Sequence, residues 1–242
     1  MNTHVATRTR LAALPGALVL AVVAALAVAA TGSSADAAGL HASAPATVHH
    51  SQQSTRTRSG VLTPAQLALH DQMRKLWEDH ITWTRLAIVT FADGSAGFSA
   101  TAGRLLQNQA DIGDAIKPYY GAAAGDQLAA LLHDHITIAV EVLQAAKAGD
   151  SAAFADANAR WYANANDIAD FLAAANPKFW PQATMRADMK THLDQTLAEA
   201  SDELGGNYAA SVSDYEAVHA HILAMADMLS AGIIGQFPSK VH

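Results

Sequence analysis

The tetrapeptide DHIT occurs at residues 79–82 and again at residues 134–137. A phrase that returns later in the chain indicates an internal repeat, and its histidines give a point of alignment. When the chain is aligned on His80 and His135, a third, weaker copy begins around His192. In every copy a glycine follows about four helical turns later, so each copy reads as a helix, a glycine turn and a second helix.

Hydrophobic periodicity supports the same organisation. Thr63, Pro64 and Gln66 form a helix-start signature, with a capping hydroxyl, a proline at the first helical position and a glutamine that completes a capping box. Apolar residues then recur at helical spacing, with glycines and prolines as punctuation. The sequence therefore predicts an all-α fold, a six-helix bundle built from three repeated antiparallel helical hairpins. The predicted helices cover roughly residues 63–92, 97–116, 122–148, 151–175, 183–204 and 208–234.

A polar position recurs in the second helix of each predicted hairpin. Asn108, Asn164 and His221 follow the histidine of their own copy at almost equal intervals, on the far side of the turn. Residues equidistant from the turn of an antiparallel hairpin lie at the same height, here about 20 Å from it at about 1.5 Å per residue. We therefore expect a polar layer across the bundle that consists of His80, His135, His192, Asn108, Asn164 and His221.

The neighbours of His80 and His135 at helical spacing are apolar, which predicts that both imidazoles point into the core. Three neutral imidazoles around one axis, with water in a fourth position, suit a divalent metal such as Zn²⁺. The predicted metal-binding residues are His80, His135, His192 and His221, with Asp111, Asp167 and Asp227 as direct ligands or as partners of the outer imidazole N–H groups.

Three functions remain open from these residues. The first is a binding protein whose polar layer holds a divalent metal or a small polar ligand. The second is a structural or interaction module in which the same layer is an inert hydrogen-bonded core. The third is a metal-dependent hydrolase, which would need an open coordination position reached by a cleft. The sequence assigns no catalytic residue, because it shows no phosphate-binding glycine loop and no nucleophile motif.

The N-terminal part of the chain, up to Gly60, differs in composition from the rest. Residues 1–37 combine Arg8 and Arg10, an apolar run and an A-x-A site, which predicts a cleaved secretory signal peptide, with an uncleaved membrane anchor as the alternative. Residues 38–60 are small and polar and predict a disordered linker, so that residues 61–242 form the helical-bundle domain. We expect a secreted or extracytoplasmic protein.

Charge and cysteine content limit the partners. The net charge of −7 disfavours nucleic acid and anionic lipid, so we expect neither nucleic-acid binding nor stable membrane association after signal cleavage; the sequence does not identify a protein partner. The absence of cysteine excludes disulfides and thiolate chemistry.

Several stretches also carry a family resemblance. "LWEDHITWTR", "LLQNQADIGDAIKPYYG", "WYANANDIADFL" and "MADMLSAGIIGQFP" resemble an uncharacterised family of small exported helical proteins of Bacillus-type and actinobacterial genomes. Some of its members carry the names acetylglutamate kinase or glycosyltransferase. The resemblance covers about residues 70–238 and implies a helical fold; it assigns no catalytic residues.

Overall fold

A computed structural model describes residues 62–242, and this part of the chain consists of six α-helices joined by short turns, without a β-strand. The helices are α1 Pro64–Ala92, α2 Phe98–Tyr120, α3 Ala122–Ala148, α4 Ser151–Ala175, α5 Gln182–Gly205 and α6 Tyr208–Gln236. The all-α fold predicted from the sequence is therefore confirmed. The predicted signal peptide and linker lie outside the described residues.

The start of α1 forms by the predicted capping box. The Thr63 hydroxyl accepts a 3.2 Å hydrogen bond from the Gln66 backbone N–H, and the Gln66 side chain accepts one of 3.0 Å from the Thr63 N–H. Two of the N–H groups that lack helical partners are thereby satisfied, and Pro64 at the next position has no N–H to satisfy.

Helix α2 is longer than the sequence predicts. It continues through Pro118 to Tyr120 and ends at Gly121, whose φ is +90°. A proline removes only one helical hydrogen bond, and here it lies in the last turn, where the loss is small. The backbone conformation that only glycine adopts readily, rather than the proline, sets the end of this helix.

The three turns that connect α1 to α2, α3 to α4 and α5 to α6 share one hydrogen-bond pattern. They contain Gly94, Gly149 and Gly206, all with positive φ, and these glycines follow His80, His135 and His192 at one common interval. In each turn the glycine N–H donates to the carbonyl three positions earlier, and the next N–H donates to the carbonyl five positions earlier. This is the Schellman pattern, which satisfies the last carbonyls of a helix.

Each helix packs against the next helix in the chain, and α6 packs against α1, so the contacts run around a closed circuit of a helical bundle. The main core includes Trp77, Ile112, Ile168, Leu193 and Ile222. A second, smaller cluster of Ala87, Leu105 and Ile136 lies between α1, α2 and α3. By length and composition alone, α3 and α6 are apolar enough to cross a membrane, a property that core helices of soluble proteins share.

Candidate functional site

Three imidazole rings meet inside the bundle. His80 on α1, His135 on α3 and His192 on α5 are all buried, with 2%, 2% and 4% of their surface exposed. The ring centroids of His80 and His192 lie 5.8 Å apart, and those of His135 and His192 lie 6.1 Å apart. His192 is therefore the middle ring of the group, which we call the histidine layer.

A tryptophan packs against each outer ring of the histidine layer. The ring centroids of Trp77 and His80 are 5.6 Å apart, and those of Trp161 and His135 are 5.3 Å apart. Both indoles are buried, so they separate the imidazoles from solvent and restrict the rotation of the rings.

Hydrogen bonds fix the tautomer of His135. The Asn164 side-chain amide donates from Nδ2 to the Leu131 carbonyl at 3.0 Å, which leaves Oδ1 as the acceptor that lies 2.9 Å from His135 Nδ1. His135 must therefore carry its proton on Nδ1, because an amide oxygen only accepts. Its other nitrogen, Nε2, has a free lone pair and no hydrogen-bond partner among residues 62–242.

One hydrogen bond recurs in the three helix pairs α1–α2, α3–α4 and α5–α6. In each pair a polar side chain of the second helix donates to a backbone carbonyl of the first helix. Asn108 Nδ2 donates to the Leu76 carbonyl at 3.0 Å, and His221 Nε2 donates to the Asp188 carbonyl at 2.9 Å. Leu76, Leu131 and Asp188 each lie one helical turn before the histidine of their own helix. The three polar side chains of the second helices therefore contact equivalent backbone positions.

His80 has a partner that the sequence analysis missed. The Gln109 side-chain amide lies 3.3 Å from His80 Nδ1, and it also donates to the Leu105 carbonyl at 2.7 Å. Gln109 follows the predicted Asn108 directly, and both are fully buried. The sequence gives one indication that Gln109 belongs to the site, which is its position next to Asn108. This indication is weak, because adjacent residues of a helix lie on different faces.

His192 differs from the other two histidines because Nδ1 has no hydrogen-bond partner in the described part of the chain. At the position equivalent to Asn164, α6 carries His221, whose Nε2 is used by the Asp188 carbonyl. An asparagine offers a donor and an acceptor side by side, whereas an imidazole presents one nitrogen in that direction. The exchange of asparagine for histidine thus explains why His192 lacks the partner that His135 has.

All three imidazoles are held neutral. Burial lowers the pKa of His80 to about 3 and that of His135 to about 4, and it lowers the pKa of His192 well below its ordinary value. Burial is the main cause, because a dry interior disfavours the charged form; mutual repulsion adds to it for His80 and His192. A neutral imidazole keeps one lone pair, which is the form that binds metals and accepts hydrogen bonds.

A cavity of about 50 Å³ adjoins the histidine layer on the side of the glycine turns. All three histidines line it, together with Trp161 and mainly aliphatic side chains of α1, α2, α3 and α5. The partly exposed lining residues Phe98, Ala102 and Val140 lie on α2 and α3, so the cavity approaches the surface between these helices.

The remaining residues of the predicted metal set do not join the layer. Asp111 is 39% exposed and pairs with Arg104, Asp227 is 46% exposed and pairs with Arg74, and Asp167 is exposed. Arginine partners stabilise two of these carboxylates at the surface, where their charge stays hydrated. Over residues 62–242, no group of three or more histidine, aspartate or glutamate side chains is arranged to hold a metal ion.

A second buried polar cluster escaped the sequence analysis. Arg85 on α1 contacts Glu199 at 3.2 Å and Glu203 at 3.0 Å on α5, and it also donates to Ser211 on α6. Glu199 is fully buried, which raises its pKa to about 7, although Arg85 opposes the shift. This cluster joins α1, α5 and α6 on the side of the turns. Ion pairs between distant helices leave no periodic signal in a sequence.

The chain matches no protein-family model, no curated protein and no solved structure. The fold and the site thus define an all-helical protein with a buried histidine layer beside a small cavity.

Proposed function

We propose that the protein is a binding protein that holds a small ligand in the cavity beside His80, His135 and His192. The observation that carries this proposal is a pair of buried imidazole nitrogens, His135 Nε2 and His192 Nδ1, that lack hydrogen-bond partners within residues 62–242. A buried polar atom without a partner costs on the order of 1–3 kcal/mol. A ligand that contacts these nitrogens recovers that cost, which favours binding.

The size of the cavity limits the ligand. Pockets for drug-sized molecules measure about 300–1,000 Å³, whereas a water molecule takes a share of about 30 Å³ in the liquid. The 50 Å³ beside the histidine layer suit a metal ion with a water molecule, or a molecule of a few non-hydrogen atoms. A haem or a nucleotide would require the helices to separate.

A divalent metal such as Zn²⁺ remains a candidate ligand, but with fewer protein ligands than the sequence predicts. His80, His135 and His192 are neutral and adjacent, as metal ligands must be. His221 is partly buried and uses Nε2 on a backbone carbonyl, and the three aspartates lie at the surface. Any metal therefore depends on His135 and His192, because the Gln109 amide donates to the Nδ1 lone pair of His80.

An inert polar core is the second candidate. It is favoured by the amides of Asn108 and Asn164, which bind backbone carbonyls of the preceding helix and so fix the register of each helix pair. Register alone explains these two amides. It does not explain why His135 and His192 retain unpartnered nitrogens beside a cavity in the described part of the chain.

We also infer that the three helix pairs are copies of one hairpin. Three features support this: the histidines, the Schellman turns at a common interval after them, and the hydrogen bond from the second helix to the carbonyl one turn before each histidine. A chain with three such copies brings equivalent residues to one level, which provides the histidine layer.

Export belongs to the same proposal, since residues 1–37 have the composition of a signal peptide. An exported binding protein without cysteine keeps its ligand set unchanged by oxidation to disulfides. Determination of the N-terminus of the protein recovered outside the cell tests this: a start at residue 38 or 39 supports export, and a start at Met1 contradicts cleavage.

The binding proposal is tested by thermal melts of the chelator-treated protein. Zinc, copper, iron, manganese, nickel and small polar molecules are added in turn, and a bound ligand at 100 times Kd adds about 2.7 kcal/mol of stability. Ala139→Leu, which fills the cavity, should abolish the response. Ala130→Leu on the exposed face of the same helix is the matched control. If no ligand raises the melting temperature, or if Ala139→Leu responds like wild type, the cavity is not a binding site.

A further inference from the structure

Two buried ring nitrogens in the lining of the cavity have opposite hydrogen-bonding roles, and neither has a partner within residues 62–242. His135 Nε2 is an acceptor, because Asn164 holds the proton of this ring on Nδ1. Trp161 Nε1 always carries a hydrogen, so it is a donor. The two rings are neighbours, with centroids 5.3 Å apart. The lining therefore offers an acceptor and a donor to one occupant.

The other polar side chains of the lining are largely occupied. The hydroxyls of Thr84 and Thr196 donate to the carbonyls of His80 and His192, each at 2.8 Å, and the Gln109 amide donates to His80 Nδ1. His192 Nδ1 has no partner in the described chain, so no such partner fixes its tautomer and it can serve in either role. The remaining lining is aliphatic or aromatic. Apart from these ring nitrogens, a ligand meets mainly apolar surface.

An ionic ligand is disfavoured in this cavity. The lining that the structure describes contains no aspartate, glutamate, lysine or arginine, and its three imidazoles are neutral. An ion that leaves water for such surroundings loses its hydration without gaining an opposite charge. A small carboxylic acid or amine is ionised at neutral pH, whereas an alcohol is not. The cavity therefore favours an uncharged molecule with a single polar group.

We propose that the cavity binds a short-chain alcohol, whose hydroxyl donates to His135 Nε2 and whose alkyl part lies against the aliphatic lining. A hydroxyl both donates and accepts, so its lone pairs also suit the Trp161 N–H. Burial of the alkyl part contributes a favourable term that grows with the apolar area removed from water. This inference rests on the proposed function, since it names the class of ligand that occupies the same cavity.

The test compares ethanol with propane, which has nearly the same size and shape but no hydroxyl. Each is titrated into the full chain, and NMR signals of the ring nitrogens and of the lining methyl groups give Kd. We expect the His135 Nε2 signal to move on addition of ethanol, because its lone pair accepts a hydrogen, and to move much less with propane. The methyl signals of Ile136 and Val142 should respond to both.

The double variant His135→Leu with Asn164→Leu removes the acceptor together with its partner. The ratio of the ethanol affinity to the propane affinity should fall about 10-fold, as expected for loss of one buried hydrogen bond. Retained propane binding shows that the cavity of this variant is intact. Ala139→Leu should abolish binding of both molecules, and Ala130→Leu on the exposed face of the same helix should leave both unchanged.

An unchanged ratio in the double variant, or a His135 Nε2 signal that responds equally to ethanol and propane, would overturn the inference. If the double variant binds neither molecule, the Nε2 signal of the wild type decides. If the wild type does not bind ethanol but another ligand raises its melting temperature, the inference falls and the binding function stands. If no ligand binds, both proposals fall.

Discussion

Asn164 lies with its side-chain oxygen 2.9 Å from His135 Nδ1 and with its nitrogen 3.0 Å from the Leu131 carbonyl, so one amide satisfies two groups of the facing helix. The arrangement fixes the tautomer of the imidazole and the register of α3 and α4 at the same level. It also distinguishes the two nitrogens of His135: Nδ1 serves the fold, and Nε2 has no hydrogen-bond partner within residues 62–242.

Asn164→Leu should destabilise the protein by about 1–3 kcal/mol, because the buried Nδ1–H of His135 loses its acceptor. The double variant with His135→Leu should recover part of this loss, since neither polar group then needs a partner. Urea unfolding of the wild type, the two single variants and the double variant gives the coupling energy directly. Additive losses within about 0.5 kcal/mol would contradict the hydrogen bond.

His221→Asn should stabilise the protein by about 0.5–1.5 kcal/mol, because the new amide can serve both the Asp188 carbonyl and His192 Nδ1. The reciprocal change, Asn164→His, should destabilise it by a similar amount. The midpoint of urea denaturation measures both variants. A loss of stability in His221→Asn would show that the third helix pair is not equivalent to the second at this position.

Gly113→Ala should destabilise the contact between α2 and α3. A Cβ at Gly113 would lie 2.5 Å from the Gly125 carbonyl oxygen, and the backbone of α3 has to move to relieve this overlap. We expect a loss of about 1–3 kcal/mol, the usual range for overpacking. Gly103→Ala is the matched control on the same helix: nothing lies within 4 Å of its Cβ, and alanine should gain about 1 kcal/mol in helix propensity. Thermal melts that rank the two variants in the opposite order would refute the close approach.

Acid should destabilise the protein between about pH 6.5 and pH 4. The folded-state pKa values of His80 and His135 are lowered to about 3 and about 4, so the unfolded chain binds protons more tightly in this window. Their contribution is fully present above the unfolded pKa of about 6.5 and is lost as the pH falls, at up to about 1.4 kcal/mol per pH unit for each histidine.

The raised pKa of Glu199 acts in the opposite direction. Its contribution is present below about pH 4.5 and is lost as the pH rises towards 7, so Glu199→Gln should steepen the acid loss. Urea unfolding measured from pH 7.5 to pH 4.5 tests both effects, with His133→Ala as an exposed control. A free energy of unfolding that stays level over this range would show that the imidazoles are not buried in neutral form.

The helices could be predicted from the sequence because their signals are local and periodic. The capping box at Thr63 appears as expected, and the predicted bounds of α3 and α4 coincide with those observed. The end of α2 could not be placed from Pro118, because a proline in the last helical turn costs little and Gly121 sets the stop. The positive φ of Gly121 depends on the direction in which the chain continues into α3, and this direction has no local signal in the sequence.

The candidate site was only partly accessible to sequence reasoning. The inward direction of His80 and His135 could be predicted from helical periodicity. Their common height with Asn108 and Asn164 could be predicted from the equal spacing of these residues about the turns. The roles of Gln109 and Arg85 do not follow, since they depend on rotamers and on contacts between helices that are distant in the chain. The cavity could not be predicted either, because it depends on how side chains of several helices fill the space beside the histidines, and residue spacing carries no information about this packing.

The ring nitrogens of the histidines, observed by long-range ¹H–¹⁵N NMR at neutral pH, test the central claim most directly. We predict that His135 carries its proton on Nδ1, and that the signals of His135 Nε2 and His192 Nδ1 move when a ligand binds in the cavity while those of His133 stay unchanged. A proton on His135 Nε2, or ring signals in the layer that do not respond to any added metal or small polar molecule, would contradict the assignment of this layer as a binding site.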